Sequence, residues 1–167
     1  LKIQDNYINL NDFKRIFLLG FGKGSAGISK YIEKVFGNFL DKGYVIDIAQ
    51  EKFTSIEFTQ GTHPLPSQTN FIFTKKAIQQ FNNLTINDLV IIVIAGGGSA
   101  MFEGPYKISV EKLIEVNKSL LLSGANIAEM NIVRKHLSIV KGGGLAKLLY
   151  PSKVVSIIAS DVPGNDL

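Results

Sequence analysis

A parallel α/β sheet with helices packed on it is the fold this sequence predicts, and three observations predict it. Short apolar runs rich in Val, Ile and Leu stand at residues 15–19, 44–49, 89–94 and 154–159, the length of strands buried on both faces. Stretches with helical spacing of apolar residues lie between them, and alternation of that kind implies parallel strands with crossover helices. Glycine-rich loops follow the runs directly, at the carboxyl ends where open α/β sheets bind ligands.

The stretch 88–105, DLVIIVIAGGGSAMFEGP, organises the chain. Its apolar run ends in small residues, three consecutive glycines and Ser99. A tight turn needs positive φ at one or two glycines. Three glycines plus a serine exceed that need, and they let backbone N–H groups come close to an anion.

Before that stretch, residues 4–12 are polar with spaced Tyr7, Ile8 and Leu10, a pattern that predicts the tail of a helix. The first buried strand, RIFLL at 15–19, runs through Gly20 and Phe21 into GKGSAG at 22–27. A helix over 28–40 turns Ile28, Ile32, Val35 and Phe36 to one face. The turn at 41–43 leads to the second strand, and 55–58 offers a short third that leads into GTHPLPS at 61–67. Ser67 suits the cap of a helix reaching Phe81, with Phe71, Ala77 and Ile78 inward. After the central strand, Ser109 caps a helix to Leu122, although Lys112 denies it a full capping box. Helices over 127–137 and 145–149 flank the glycines at 142–144, and 154–159 is the last buried strand, followed by SDVPGND.

Composition narrows the function. One domain fits 167 residues, and such a chain buries roughly 70% of its unfolded surface. With 46% hydrophobic and 19% charged residues, wholesale disorder is not expected. No apolar run approaches the ~20 residues of a membrane span and no signal peptide opens the chain, so the expectation is a cytoplasmic protein without a membrane partner. The absence of Cys excludes disulfides and thiol chemistry. His63 and His136 are too far apart in sequence to suggest a histidine metal centre. The net charge is +4, but the lysines are scattered, and a phosphorylated or carboxylate ligand explains the excess more simply than nucleic acid. The chain opens on Leu1 and stops at Leu167 just after a strand and loop, which leads us to expect a larger protein whose C-terminal part is missing here.

Three loops with chemical character emerge from strand ends: 22–27, 96–99 and 160–166. GKGSAG satisfies G-x-G-x-x-G, but a dinucleotide site wants an acid at the end of the second strand; Asp47 lies inside that strand and Glu51 just past it. Lys23 fits a loop that offers one mobile positive charge to a phosphoryl group, or else a solvated turn. His63, stiffened by Pro64 and Pro66, suits a functional loop or a plain turn. Asn131, Arg134 and Ser138 share one helix face, and polar residues on a helix ordinarily face water. Asp161 and Asp166 are the best metal candidates, since Mg²⁺ is held by one or two carboxylates plus substrate phosphates; Asp161 equally suits a cap.

Taken in order, GKGSAG, THPLP, DLVIIVIAGGGSAM, SGANIAEMNIVRKHLSIVKGGGLA and SDVPGND resemble the glycerate 2-kinase family. These are the class II enzymes that pair such a domain with a C-terminal MOFRL domain. The resemblance covers nearly the whole chain, and the segment around NIVRKHLS is its most specific part. It implies a Rossmann-like parallel sheet with helices on both faces, as the N-terminal domain of a two-domain enzyme. It also implies transfer of the ATP γ-phosphoryl group to the 2-hydroxyl of D-glycerate with Mg²⁺. Carried over by motif, Lys23 lies at the transferring phosphate, and Gly96, Gly97, Gly98 and Ser99 cradle phosphate or carboxylate. His63, Asn131, Arg134, His136 and Ser160 line the cleft, and Asp161, with Asp166, orients metal or hydroxyl.

The chain departs from the family pattern at Gly24, Ser67, Gly144 and Asn165, where the family carries Ala, an acid, Arg and Asp. Residues 1–167 alone are expected to be inactive, and an exposed cleft wall favours self-association into a homo-oligomer. Two other readings compete: a non-catalytic sugar-phosphate-binding module of the sugar-isomerase type, and a small NAD-dependent dehydrogenase.

Overall fold

The computed structural model describes residues 1–3 and 5–160. A small antiparallel hairpin, β1 (Lys2–Ile3) with β2 (Asn6–Tyr7), and a 3₁₀ turn over Leu10–Asp12 open the chain. The expected helix tail is therefore not found. Asn9 instead accepts the Asn11 N–H through its side chain, a local bond that favours a turn over a helix.

The main sheet comprises β3 (Arg15–Phe21), β4 (Lys42–Asp47), β5 (Ile56–Gln60), β6 (Asp88–Ala95) and β7 (Lys153–Ala159), in the order β5-β4-β3-β6-β7. Every pairing is parallel. The chain winds outward from β3 to β5, then crosses back to lay β6 on the other side of β3. The order thus reverses between β3 and β6, and their carboxyl ends bound the crevice where such sheets bind ligands.

Alternation along the strands builds two cores. Phe17, Leu19 and Phe21 of β3 join Tyr44, Ile46, Val90 and Ile92 under α2 (Gln68–Gln80) and Leu149 of a later helix. Ile16 and Leu18 join Val45, Leu89 and Ile91 under α1 (Ser25–Phe36). Helices thus cover both faces, as the sequence leads one to expect. Val35 does not belong to the buried face of α1; it is exposed, and Ala26, Ser29, Ile32, Glu33 and Phe36 face the sheet instead.

Four helices lie between β6 and β7: α3 (Gly98–Met101), α4 (Val110–Leu122), α5 (Ile127–His136) and α6 (Gly144–Leu149). The Ser109 hydroxyl caps α4 on the Lys112 N–H, and Asn126 with Glu129 forms a full capping box on α5. Ser67 precedes α2 but makes no cap bond to the backbone; its hydroxyl donates to Asn70 Oδ1. The last strand is not a buried one. Only Val155 of β7 is buried; β7 is the edge of the described sheet, and Val154, Ile157 and Ile158 are exposed there. No described helix is long and apolar enough to cross a membrane.

Candidate functional site

The first glycine-rich loop leaves β3. Gly22 has φ +108°, and a Cβ there would stand 2.3 Å from the Ala95 carbonyl oxygen, so only glycine lets β3 and β6 close up at this point. Lys23 then donates its backbone N–H to Gly96 O at 2.7 Å, joining the first loop to the second across the crevice. Its side chain is exposed at the crevice mouth.

Asp47 explains why this loop is not a dinucleotide site. It ends β4, is fully buried, and accepts the N–H groups of Gly24 and Ala26 on Oδ2, both at 2.9 Å. Oδ1 takes the N–H groups of Ile48 and Ala49. The first turn of α1, where a pyrophosphate would sit in a dinucleotide-binding sheet, is filled by the chain's own carboxylate.

The second loop leaves β6. Gly97 has φ +73°, and a Cβ there would lie 2.4 Å from Cδ2 of His63, so the imidazole rests directly on this glycine. His63 is carried by the 61–67 loop, which Asn70 fixes. The buried Asn70 amide accepts the Thr62 N–H and donates to the carbonyls of Thr62 and Ala100, so α2 holds the two loops together. Asn70 had no motif to mark it.

Three charged residues gather behind the second loop. Arg134 of α5 donates from Nη2 to Ser99 O at 3.1 Å, and its Nε is buried without a hydrogen-bond partner among the described residues. Lys141 Nζ reaches Ser99 O at 2.8 Å, Phe102 O at 3.2 Å and Glu103 Oε2 at 2.9 Å. Burial lowers the pKa of both cations from the ordinary values, with the Glu103 carboxylate acting against the shift in each. Lys141 and Glu103 were not legible as a pair, since they stand far apart in sequence and no motif spacing links them.

A cleft of about 240 Å³ opens here, its polar end formed by His63, Gly97, Ser99 and Arg134 and its apolar wall by Leu120, Leu121, Ile127 and Met130. Asn131 and His136 are exposed on α5 and do not line it; the His136 ring is hydrogen-bonded to Ile132 O at 2.7 Å. Ser160 is exposed just past β7. Asp161 and Asp166 lie outside the described residues, and among the described residues no group of three or more His, Cys, Asp or Glu side chains is placed to hold a metal ion. A larger cavity of about 620 Å³, lined by Gly27, Lys30, Glu33, Lys34 and Ser55 among others, runs along α1 to the amino end of β5 and includes no residue of the second loop. The smaller cleft is the better candidate because the chemical groups converge there.

Fold and site together define a parallel α/β domain with paired glycine-rich loops at its switch point. The chain belongs to the family described as a domain of unknown function, DUF4147, which matches residues 1–167 and is the N-terminal domain of glycerate 2-kinases. It is similar to a protein of Picrophilus torridus named glycerate 2-kinase, 38% identical over 99% of this chain and 40% of the relative. A Thermotoga maritima protein named D-glycerate 2-kinase is 36% identical over 92% of this chain and 38% of its own length. A protein of Agrobacterium vitis, 37% identical over 91% of this chain, carries a provisional name as a hydroxypyruvate reductase. Among solved structures, a glycerate kinase of Thermotoga maritima superposes with a TM-score of 0.85 at 34% identity, covering 93% of this chain and 38% of that one. The chain thus spans about two fifths of the length of these relatives.

Proposed function

We propose that this chain is the N-terminal domain of an ATP-dependent glycerate 2-kinase of the cytoplasm, inactive without the remainder of such an enzyme. In the reaction the 2-hydroxyl oxygen of D-glycerate bonds to the γ-phosphorus as the bond from that phosphorus to the β–γ bridging oxygen breaks, and ADP leaves with the electron pair. Phosphoryl transfer of this kind needs positioning and charge neutralisation more than covalent help.

The observation that carries the reading is the pairing of the two loops through Lys23. Its backbone is tied to Gly96, while Asp47 fills the helix terminus beside it. A phosphate at this crevice therefore meets the Lys23 ammonium and the N–H groups of Gly96, Gly97, Gly98 and Ser99, not the α1 dipole. Arg134 and His63, at the polar end of the cleft, suit the substrate carboxylate. Asp161 takes the hydroxyl proton or orients the metal in this scheme. Asp161 and Asp166 would hold Mg²⁺ if it accompanies ATP, and the ion would supply neutralisation of the phosphate charge. Asn131, His136 and Ser160 keep a place only at the rim, since all three are exposed.

The relatives named glycerate 2-kinase support this reading, and the filled α1 terminus counts against nicotinamide at the first loop. The test is ADP release from Mg-ATP by the full-length gene product with D-glycerate, with the phosphorylated carbon assigned by ³¹P NMR. Release that depends on D-glycerate and yields 2-phosphoglycerate supports the proposal. Sugar-phosphate binding without turnover would favour the non-catalytic module instead.

A further inference from the structure

The Lys141–Glu103 pair has no place in the proposed chemistry, yet it is the most deeply buried ion pair among the described residues. The Lys141 side chain is 13% exposed and that of Glu103 only 1%. An ammonium has three N–H donors, and Lys141 has three acceptors within reach: Ser99 O, Phe102 O and Glu103 Oε2. Glu103 in turn accepts the Gly104 N–H on its other oxygen, at 3.0 Å. The donor set is therefore matched to the acceptor set, which is the condition under which a buried ion pair repays its desolvation.

What the pair holds is the carboxyl side of the second glycine-rich loop. The loop runs into α3, four residues long, and a helix of one turn has little stability of its own. Its carbonyls at Ser99 and Phe102 have no further helical turn to bond. Lys141, arriving from the segment between α5 and α6, supplies both, and Arg134 adds a second donor to Ser99 O. The amino side of the same loop is held by the Lys23 N–H on Gly96 O.

We propose that Lys141, with Glu103 as its counterion, is a positioning residue that fixes the 96–99 loop against which the phosphoryl group or substrate is set. The proposal rests on the kinase reading. It gives the buried pair a role in rate, because displacement of a positioning group by about 1 Å costs on the order of 10²-fold.

The experiment uses the full-length gene product and its double variant Lys141→Met/Glu103→Gln, which removes both charges of the pair and leaves Arg134 its bond to Ser99 O. The variant is expected to keep the parental melting temperature and the parental KM for ATP while kcat falls about 10²-fold. In amide hydrogen exchange, the Ala100, Met101 and Phe102 amides should lose protection while those of β6 keep theirs. Parental kcat, or unchanged exchange at those three amides, overturns the proposal. Lys141→Arg covers the case in which the double variant does not fold. It keeps the charge, but a planar guanidinium cannot set one nitrogen against all three acceptors, so kcat should still fall; parental kcat in it overturns the proposal. An unmodified protein without kinase activity refutes the kinase reading, and the exchange measurement then still decides whether Lys141 holds the loop.

Discussion

The Asp47 carboxylate stands 2.9 Å from the Gly24 nitrogen and accepts its N–H, and through Oδ2 it closes the amino end of α1 to outside anions. Lys23, the residue before Gly24, is in this way held from one side by Asp47 and from the other by Gly96. Replacing Asp47 by Ala leaves the buried Ala26 N–H and the part-buried N–H groups of Gly24, Ile48 and Ala49 without this acceptor, at a cost of about 1–3 kcal/mol in denaturant unfolding. It also empties the helix terminus. Inorganic phosphate should then raise the melting temperature of Asp47→Ala by more than it raises that of the parent.

Gly97 is the tightest point of the second loop. Ala at this position would take a left-handed conformation worth about 1–2 kcal/mol of strain and would displace the His63 ring. Gly97→Ala should lose stability and activity together. In Gly97→Ala/His63→Ala the steric share of the stability loss should return and the conformational share should not, as thermal unfolding of these two variants beside His63→Ala and the parent will show.

Asn70 ties the 61–67 loop to α3 through Thr62 and Ala100. Asn70→Ala breaks these bonds and is expected to cost about 1–3 kcal/mol. Asn70→Asp sets a buried carboxylate oxygen against the Thr62 and Ala100 carbonyls and should cost more than Ala. Chemical denaturation of the series checks the order.

At the opposite end of the sheet, Asp88 accepts two hydrogen bonds from Arg15, at 2.8 and 2.7 Å, and two more from Thr85. The Arg15 guanidinium holds the Asp88 carboxyl below its usual range. A folded-state pKa below the unfolded one means that this stabilisation is complete above the ordinary carboxylate pKa of about 3.9 and is lost as pH falls through the lowered folded value. Urea unfolding from pH 6 downward should show the parent losing stability in that acid window, while Asp88→Asn starts lower and changes less.

The order of strands and helices was readable because apolar runs and turn residues are local signals. The sheet order is not local: β7 lies at the edge of the described sheet, and Val154, Ile157 and Ile158 are exposed although their sequence reads as buried. Val35 failed for a related reason, since apolar spacing names a helix face but not how much of it the sheet covers. At the candidate site, the glycine loops and Lys23 stood out as motifs. Asp47, Asn70, Glu103 and Lys141 act on groups far away in sequence, many of them backbone atoms that every residue carries, so no spacing betrays them. Asp47 was visible as a carboxylate near a strand end, but nothing in the sequence said that its partner would be the helix and not a ribose. Gly144 has the Ile139 carbonyl oxygen 2.1 Å from where its Cβ would be, an approach that no local pattern foretells.

The central claim is that the Lys23 ammonium meets the transferring phosphate at a crevice whose helix terminus is already filled. The most direct test is kcat for ADP release from Mg-ATP with D-glycerate, measured on the full-length gene product and on Lys23→Ala, with melting temperatures to confirm that both are folded. The account predicts that the variant folds like the parent and loses kcat by at least about 10²-fold, in line with the loss of one charge-stabilising group at a reacting centre. A folded Lys23→Ala with parental kcat would contradict it.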